Sequence, residues 1–285
     1  MKMHFISGLP RSGSTLLAAI LRQNPRFVAG KASPVSILFT ALEESMSMRR
    51  PYGVQFSTLQ KMLLLRGLFQ NYYYKTTDGS DDVIFDKSRA WCEKVHQLVE
   101  LFAEAKVLCP VRNVAWIMDS CERLIRMNAF DLSGMVGYDA DLTVYGRCSL
   151  LGKSDGMVGW SYDALRQAYF GEHSDRLILI DYDTLVRHPA WTIGMVYDFL
   201  GEPKFEHDFD HVTYEHEAFD AALGTPGLHD IRPKVEWRER PTILPPDLFE
   251  RYAQHDFWTR YPKPSDARLI IAPDNVSSLV AAERR

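Results

Sequence analysis

Residues 4–17 read HFISGLPRSGSTLL. A short apolar run enters the turn Gly8-Leu9-Pro10-Arg11-Ser12-Gly13-Ser14-Thr15. The chain then takes up a helical pattern carrying Leu16, Leu17, Ile20 and Leu21. A strand, a glycine turn and a helix in that order gather backbone N–H groups around an anion at the helix N-terminus. Gly8 and Gly13 permit the tight turn and close backbone approach. Ser12, Ser14 and Thr15 add hydroxyl donors, and Arg11 adds charge. The turn meets the phosphate-loop template G-x-x-x-x-G-K-[ST] at every defining position but one, where Ser14 replaces the lysine. The bland alternative is a serine-capped turn that needs no ligand; the strand before it and the helix after it favour the anion site.

The missing lysine narrows the ligand. The outer phosphates of a nucleoside triphosphate call for lysine and Mg²⁺, whereas a ligand with one 5′-phosphate and a smaller leaving group does not. A substitute cation is available in Lys87, which closes the next apolar run, residues 83–86, and is followed by Ser88 and Arg89. An ordinary surface lysine is the competing reading.

Further runs at residues 106–111 and 177–180 read as strands. Helical patterns are expected at 34–46, 57–73, 91–103, from 113 onward, at 161–172 and from Pro189, with Ser33-Pro34 as a helix start. Residues 76–82 (TTDGSDD) read as an exposed turn and 130–160 as a long loop or insert. Short strands alternating with helices predict an α/β fold: a P-loop-like central parallel sheet with helices on both faces, in a single domain over residues 1–262 followed by a tail over 263–285. Ligands in such sheets gather at the carboxyl strand ends. The turn at 8–15, the segment 86–89 and the segment 112–120 are therefore expected to converge, with Arg112 and Ser120 reaching one ligand only if Arg112 folds back.

The chain has 285 residues, 46% of them hydrophobic, enough for a sizeable core. Its net charge of −4 argues against a nucleic-acid partner and makes any anion site a local cluster. No run reaches the roughly 18 apolar residues of a membrane span, and the N-terminal run is too short for a signal peptide. Cys92, Cys109, Cys121 and Cys148 lack C-x-x-C spacing and read as reduced, mostly buried thiols of a cytoplasmic protein.

Together these residues resemble the sulfotransferase superfamily, which uses 3′-phosphoadenosine 5′-phosphosulfate (PAPS) as sulfate donor. Pro10-Arg11-Ser12-Gly13-Ser14-Thr15-Leu16-Leu17 is similar to its 5′-phosphosulfate loop, and Val111-Arg112-Asn113 with Ser120 to its 3′-phosphate motif. Phe85-Asp86-Lys87-Ser88 resembles the strand-end lysine segment of the tyrosylprotein and heparan branches. Residues 179–200 resemble its Y-x-x-L-x-x-x-P segment, with Tyr182, Leu185 and Pro189 in place, and residues 227–234 a late loop over the nucleotide, with His229, Arg232 and Lys234. The resemblance implies PAPS as co-substrate and no metal. It also implies a hydroxyl acceptor, with peptide tyrosine leading and a sugar, lipid or phenol open; the oligomeric state is left open, a dimer included. It assigns Lys87 and Arg11 to charge stabilisation and Arg112, Ser120, Tyr182, Arg232 and Lys234 to the nucleotide. The tyrosylprotein branch carries a catalytic glutamate where this chain has Gly30-Lys31-Ala32-Ser33. Asp86, His229 and Glu43, in that order, are the replacement base candidates. Two other readings compete. One is a P-loop kinase with Asp181 as its second-motif carboxylate; the other is a nucleotide-binding module without activity.

Overall fold

The computed structural model describes residues 2–74, 81–128, 134–137, 143–215, 220–221, 224–261 and 265–272. Its strands are β1 (Lys2–Ile6), β2 (Phe27–Ala32), β3 (Val83–Lys87), β4 (Val107–Val111), β5 (Leu177–Asp181) and β6 (Arg268–Ile270). They form one sheet in the order β2-β3-β1-β4-β5-β6, and every neighbouring pair is parallel.

Alternation along the strands divides the core in two. Met3, Phe5, Ile84, Val107, Cys109, Val111, Leu177 and Leu179 face one layer, where Phe39, Phe69 and Trp91 pack. Ile6, Val83, Phe85, Leu108, Ile178 and Ile180 face the other, with Leu17, Ile20, Val196 and Tyr197. The first layer contains α2 (Val35–Ser45), α3 (Thr58–Tyr72), α4 (Val95–Leu101), α5 (Val114–Met127) and α7 (Met157–Tyr169); the second contains α1 (Ser14–Leu21) and α9 (Pro189–Leu200). This is the expected parallel α/β sheet covered on both faces. The helix starts follow their chemistry. Ser57 and Gln60 make a reciprocal capping box on α3, Asn113 caps α5, and Pro189 opens α9.

Two strands escaped sequence reading. β2 lies at one edge, between α1 and the Ser33-Pro34 start. β6, three residues long, is the opposite edge strand and lies within the stretch read as a tail. The stretch read as an insert holds α6 (Val144–Gly152) and the start of α7. The turn at 76–82 lies mostly outside the described residues. All four cysteines are buried and unbridged. No helix among the described residues is long and apolar enough to cross a membrane.

Candidate functional site

Because the strands are parallel, their carboxyl ends share one edge. β1 lies between the β3 and β4 branches, where the connections change direction and an open sheet forms its crevice. A cavity of about 1120 Å³ opens there. Of the residues expected at the site, most line it; Gly8, Ser12, Glu43 and Asp86 do not.

The turn after β1 forms the floor. Gly8 has φ +100°, and a Cβ there would stand 2.6 Å from the Pro110 carbonyl oxygen; Gly13 has φ +91°, and a Cβ there would stand 2.7 Å from the Tyr182 ring. Both positions therefore exclude a side chain. Ser12 is buried with its Oγ 2.5 Å from Leu9 O and 2.8 Å from Pro110 O. Its hydroxyl pins the turn to β4 and is not a donor to a bound anion, a correction to the sequence reading. Arg11 also holds a left-handed backbone, φ 54°. Its side chain donates from Nε to Ser120 Oγ at 3.1 Å and from Nη1 to the Leu228 carbonyl, joining the turn to α5 and to the segment 228–240.

Lys87 closes β3 on the side of Val83 and Phe85. Its Nζ lies 3.5 Å from Thr15 Oγ1 and 3.3 Å from the Tyr214 hydroxyl, 5.4 Å from that ring's centre. Burial pulls its ammonium from 10.5 down to about 8. Arg112 follows β4 and folds back so that its guanidinium sits 4.3 Å over the Tyr182 ring; its Nε is buried with no hydrogen-bond partner. Ser120, two turns into α5, lines the same cavity.

Asp86, placed first among the base candidates, belongs to the opposite face of the sheet. Alternation sends it to the side of Ile84, where it accepts from Ser33 Oγ (2.6 Å), Tyr73 Oη (2.7 Å) and Trp91 Nε1 (2.7 Å). Burial pushes its carboxyl up, and these three donors restrain the rise. Glu43 also stands outside the lining, held by Lys94 at 2.6 Å and Gln97 at 3.1 Å. Asp181 caps the short helix α8 (Tyr182–Arg187) through Thr184, 2.8 Å from both its N and its Oγ1. His229 is the base candidate on the wall. Its Nδ1 contacts Asp220 Oδ1, and its backbone N–H donates to Asp220 Oδ2 at 2.9 Å. Burial lowers the imidazole below its usual value, against the pull of Asp220 and with help from nearby Lys87.

Sequence reasoning missed Tyr214, Asp220 and Ser33. Tyr214 lies in irregular chain with no period to mark it, and Asp220 in a helical stretch that carries no motif. The segment over the cavity is tied down by Val212 N to Pro233 O and Val235 N to Phe209 O, each 2.8 Å, and by Arg240, which pairs with Asp119 of α5 at 2.9 Å.

The sequence model of one family, described as the sulfotransferase family, matches residues 4–207. The chain belongs to the sulfotransferase family. Among solved structures, a sulfotransferase domain from the curacin biosynthetic pathway is 16% identical, covers 99% of this chain and 97% of its own, and superposes with a TM-score of 0.53, a likeness of fold. A sulfotransferase from Alicyclobacillus acidocaldarius is 14% identical over 100% of this chain and 99% of its own, TM-score 0.49. The sulfotransferase domain of the Synechococcus PCC 7002 olefin synthase is 18% identical over 100% and 95%, TM-score 0.44. No curated protein matches the chain.

The cavity of this sulfotransferase suits a bisphosphorylated nucleotide. Lys87, and Arg112 with its buried Nε lacking a hydrogen-bond partner, put two cationic groups on the wall of this cavity above the Gly8 and Gly13 turn. Among the described residues, the one cluster with metal-ligand geometry, His96, Glu172 and His173, stands outside the lining.

Proposed function

We propose that this chain transfers the sulfuryl group of PAPS to an acceptor hydroxyl by in-line displacement, with peptide tyrosine the leading acceptor. The observation that carries the reading is a phosphate turn without its lysine, completed by the buried ammonium of Lys87 from the neighbouring strand. PAPS would supply the activated sulfuryl group and a 5′-phosphate as leaving group. The turn amides, Ser14, Thr15 and Lys87 hold that phosphate, and Lys87 balances the charge that grows on it. Arg112, Ser120, Arg232 and Lys234 hold the second phosphate through charge-assisted bonds. Arg11 joins the two ends by its bond to Ser120.

His229 takes the acceptor proton. With Nδ1–H donated to Asp220, the basic lone pair is on Nε2, and the lowered pKa keeps the ring neutral near pH 7, as a base requires. The kinase reading has less support: Ser14 offers no cation, and Asp181 is engaged as a helix cap.

Calorimetry decides the donor. Adenosine 3′,5′-bisphosphate is expected to bind and Mg²⁺–ATP not to; the reverse overturns the reading. Transfer of labelled sulfate from PAPS to a panel of tyrosine peptides, sugars and phenols then identifies the acceptor. Binding with no transfer to any of them would favour a module without activity.

A further inference from the structure

The outer surface formed by α2, α3 and the chain between them is apolar where water should meet charge. Ile37 is 72% exposed, Met48 70%, Tyr52 71%, Leu59 66% and Leu63 57%. α3 is apolar on both sides. Leu65, Phe69 and Tyr73 enter the core, while Leu59 and Leu63, one turn apart, stand outside. A solvent-facing helix surface ordinarily carries charged and polar residues there, and an exposed apolar patch of this kind marks an interaction surface.

Charge gives the second observation. Residues 45–77 contain no aspartate or glutamate, in a chain that has 37 of them, yet they contain Arg49, Arg50, Lys61, Arg66 and Lys75. Arg49, Arg50 and Arg66 are exposed. Glu43 and Glu44 end α2 beside this stretch; Glu43 is paired with Lys94 and Glu44 is exposed, so the surface carries more cations than anions. Apolar residues ringed by cations, with tyrosines among them, match the boundary between anionic headgroups and acyl chains. The surface also reaches the cavity, because Ile37 belongs to both it and the cavity wall, next to Pro34 and Ser36.

From this juxtaposition we infer that the α2–α3 surface docks on an anionic lipid bilayer. Arg49, Arg50, Lys61 and Arg66 meet the headgroups, Met48, Leu59 and Leu63 enter the acyl boundary, and the cavity mouth opens beside the membrane. The docking is independent of the transfer chemistry, and its failure would leave the proposed reaction untouched.

Vesicle co-sedimentation tests it. The protein is expected to sediment with vesicles of phosphatidylcholine containing about 30% phosphatidylserine and not with phosphatidylcholine alone, and to be released by high salt. A basic residue at such a surface is worth about fivefold in partitioning, so Arg49→Gln/Arg50→Gln should weaken binding about 25-fold. Leu63→Glu should abolish it. Both variants should keep the wild-type melting temperature and affinity for adenosine 3′,5′-bisphosphate. Absence of binding to the anionic vesicles, or equal binding to the neutral ones, overturns the inference. So does light scattering that shows a wild-type dimer which Leu63→Glu dissociates, because the surface would then be an interface between copies.

Discussion

Replacing Lys87 by methionine should make the protein more stable and nearly inactive at once. Lys87 is 6% exposed, and burial takes its ammonium from 10.5 to about 8. At about 1.4 kcal/mol per tenfold, that drop is roughly 3 kcal/mol acting against folding at pH 7. The sign follows from the protons. Between pH 8 and 10.5 the unfolded chain holds this proton more tightly than the folded one, so the penalty is full below pH 8 and is relieved as pH rises to 10.5. Methionine keeps the length of the stem and removes the charge. The Tyr214 ring and hydroxyl, now Lys87's neighbours, offset part of the penalty, so about 3 kcal/mol is an upper value. At roughly 2–4 °C per kcal/mol, the melting temperature of Lys87→Met should rise by several degrees at pH 7. That gain should vanish near pH 10.5.

Activity should move the other way. Removing one donor from a developing oxyanion typically lowers kcat about 10²–10³-fold, while the affinity for adenosine 3′,5′-bisphosphate, measured by calorimetry, should change little. In the wild type, kcat/KM should fall as pH rises through about 8, when Lys87 loses its proton; Lys87→Arg should lack that alkaline limb, since a guanidinium does not titrate there. A Lys87→Met protein with near-normal kcat removes the lysine from the reaction. One that melts lower than wild type refutes the reasoning about its buried charge.

The other predictions concern the nucleotide, the turn and the far side of β1. Arg112→Ala should weaken adenosine 3′,5′-bisphosphate binding by about 1.5–3 kcal/mol, with a smaller effect on kcat, and calorimetry showing unchanged affinity would take Arg112 out of the site. Gly13→Ala would force a left-handed backbone and a Cβ 2.7 Å from the Tyr182 ring; it should lower both the melting temperature and nucleotide affinity, and a variant normal in both would count against the cradle. Ser12→Ala removes the hydroxyl that donates to Leu9 O and Pro110 O, leaving Pro110 O with the Leu9 N–H at 3.0 Å, and should cost about 1–3 kcal/mol in denaturant unfolding. His4 is fully buried, and burial beside Lys2 and Lys106 pulls it from 6.5 to about 3. Below pH 6.5 the unfolded chain therefore takes a proton that the folded one refuses, and stability should fall by about 1.4 kcal/mol per pH unit down to about pH 3, a slope that His4→Asn should reduce.

What the sequence made legible were features written in consecutive residues. The glycine turn, the strand–helix alternation and the basic residues Lys87 and Arg112 at the ends of two apolar runs are local, and the cavity edge gathers them. The pair Asp86-Lys87 shows where local reading needed one more step. Both residues end the same strand, and placing both at one site overlooks a period of two. Ile84 faces one core layer while Val83 and Phe85 face the other, so alternation alone sends Asp86 to the Trp91 side and Lys87 to the cavity. The edge strands failed for a different reason. β6 is three residues long, too short to show a period, and the sheet identifies it only by its pairing with β5. Tyr214 lies in irregular chain and left no trace, and Asp220 is a lone carboxylate in a stretch whose period marks no site. They are brought to the site by bonds such as Val235 N to Phe209 O and Arg240 to Asp119, whose partners are far apart in sequence. The partner of His229 comes from that same stretch. The base proposed here was thus visible in the sequence only as a lone histidine, ranked below an aspartate that the sheet turns away from the cavity.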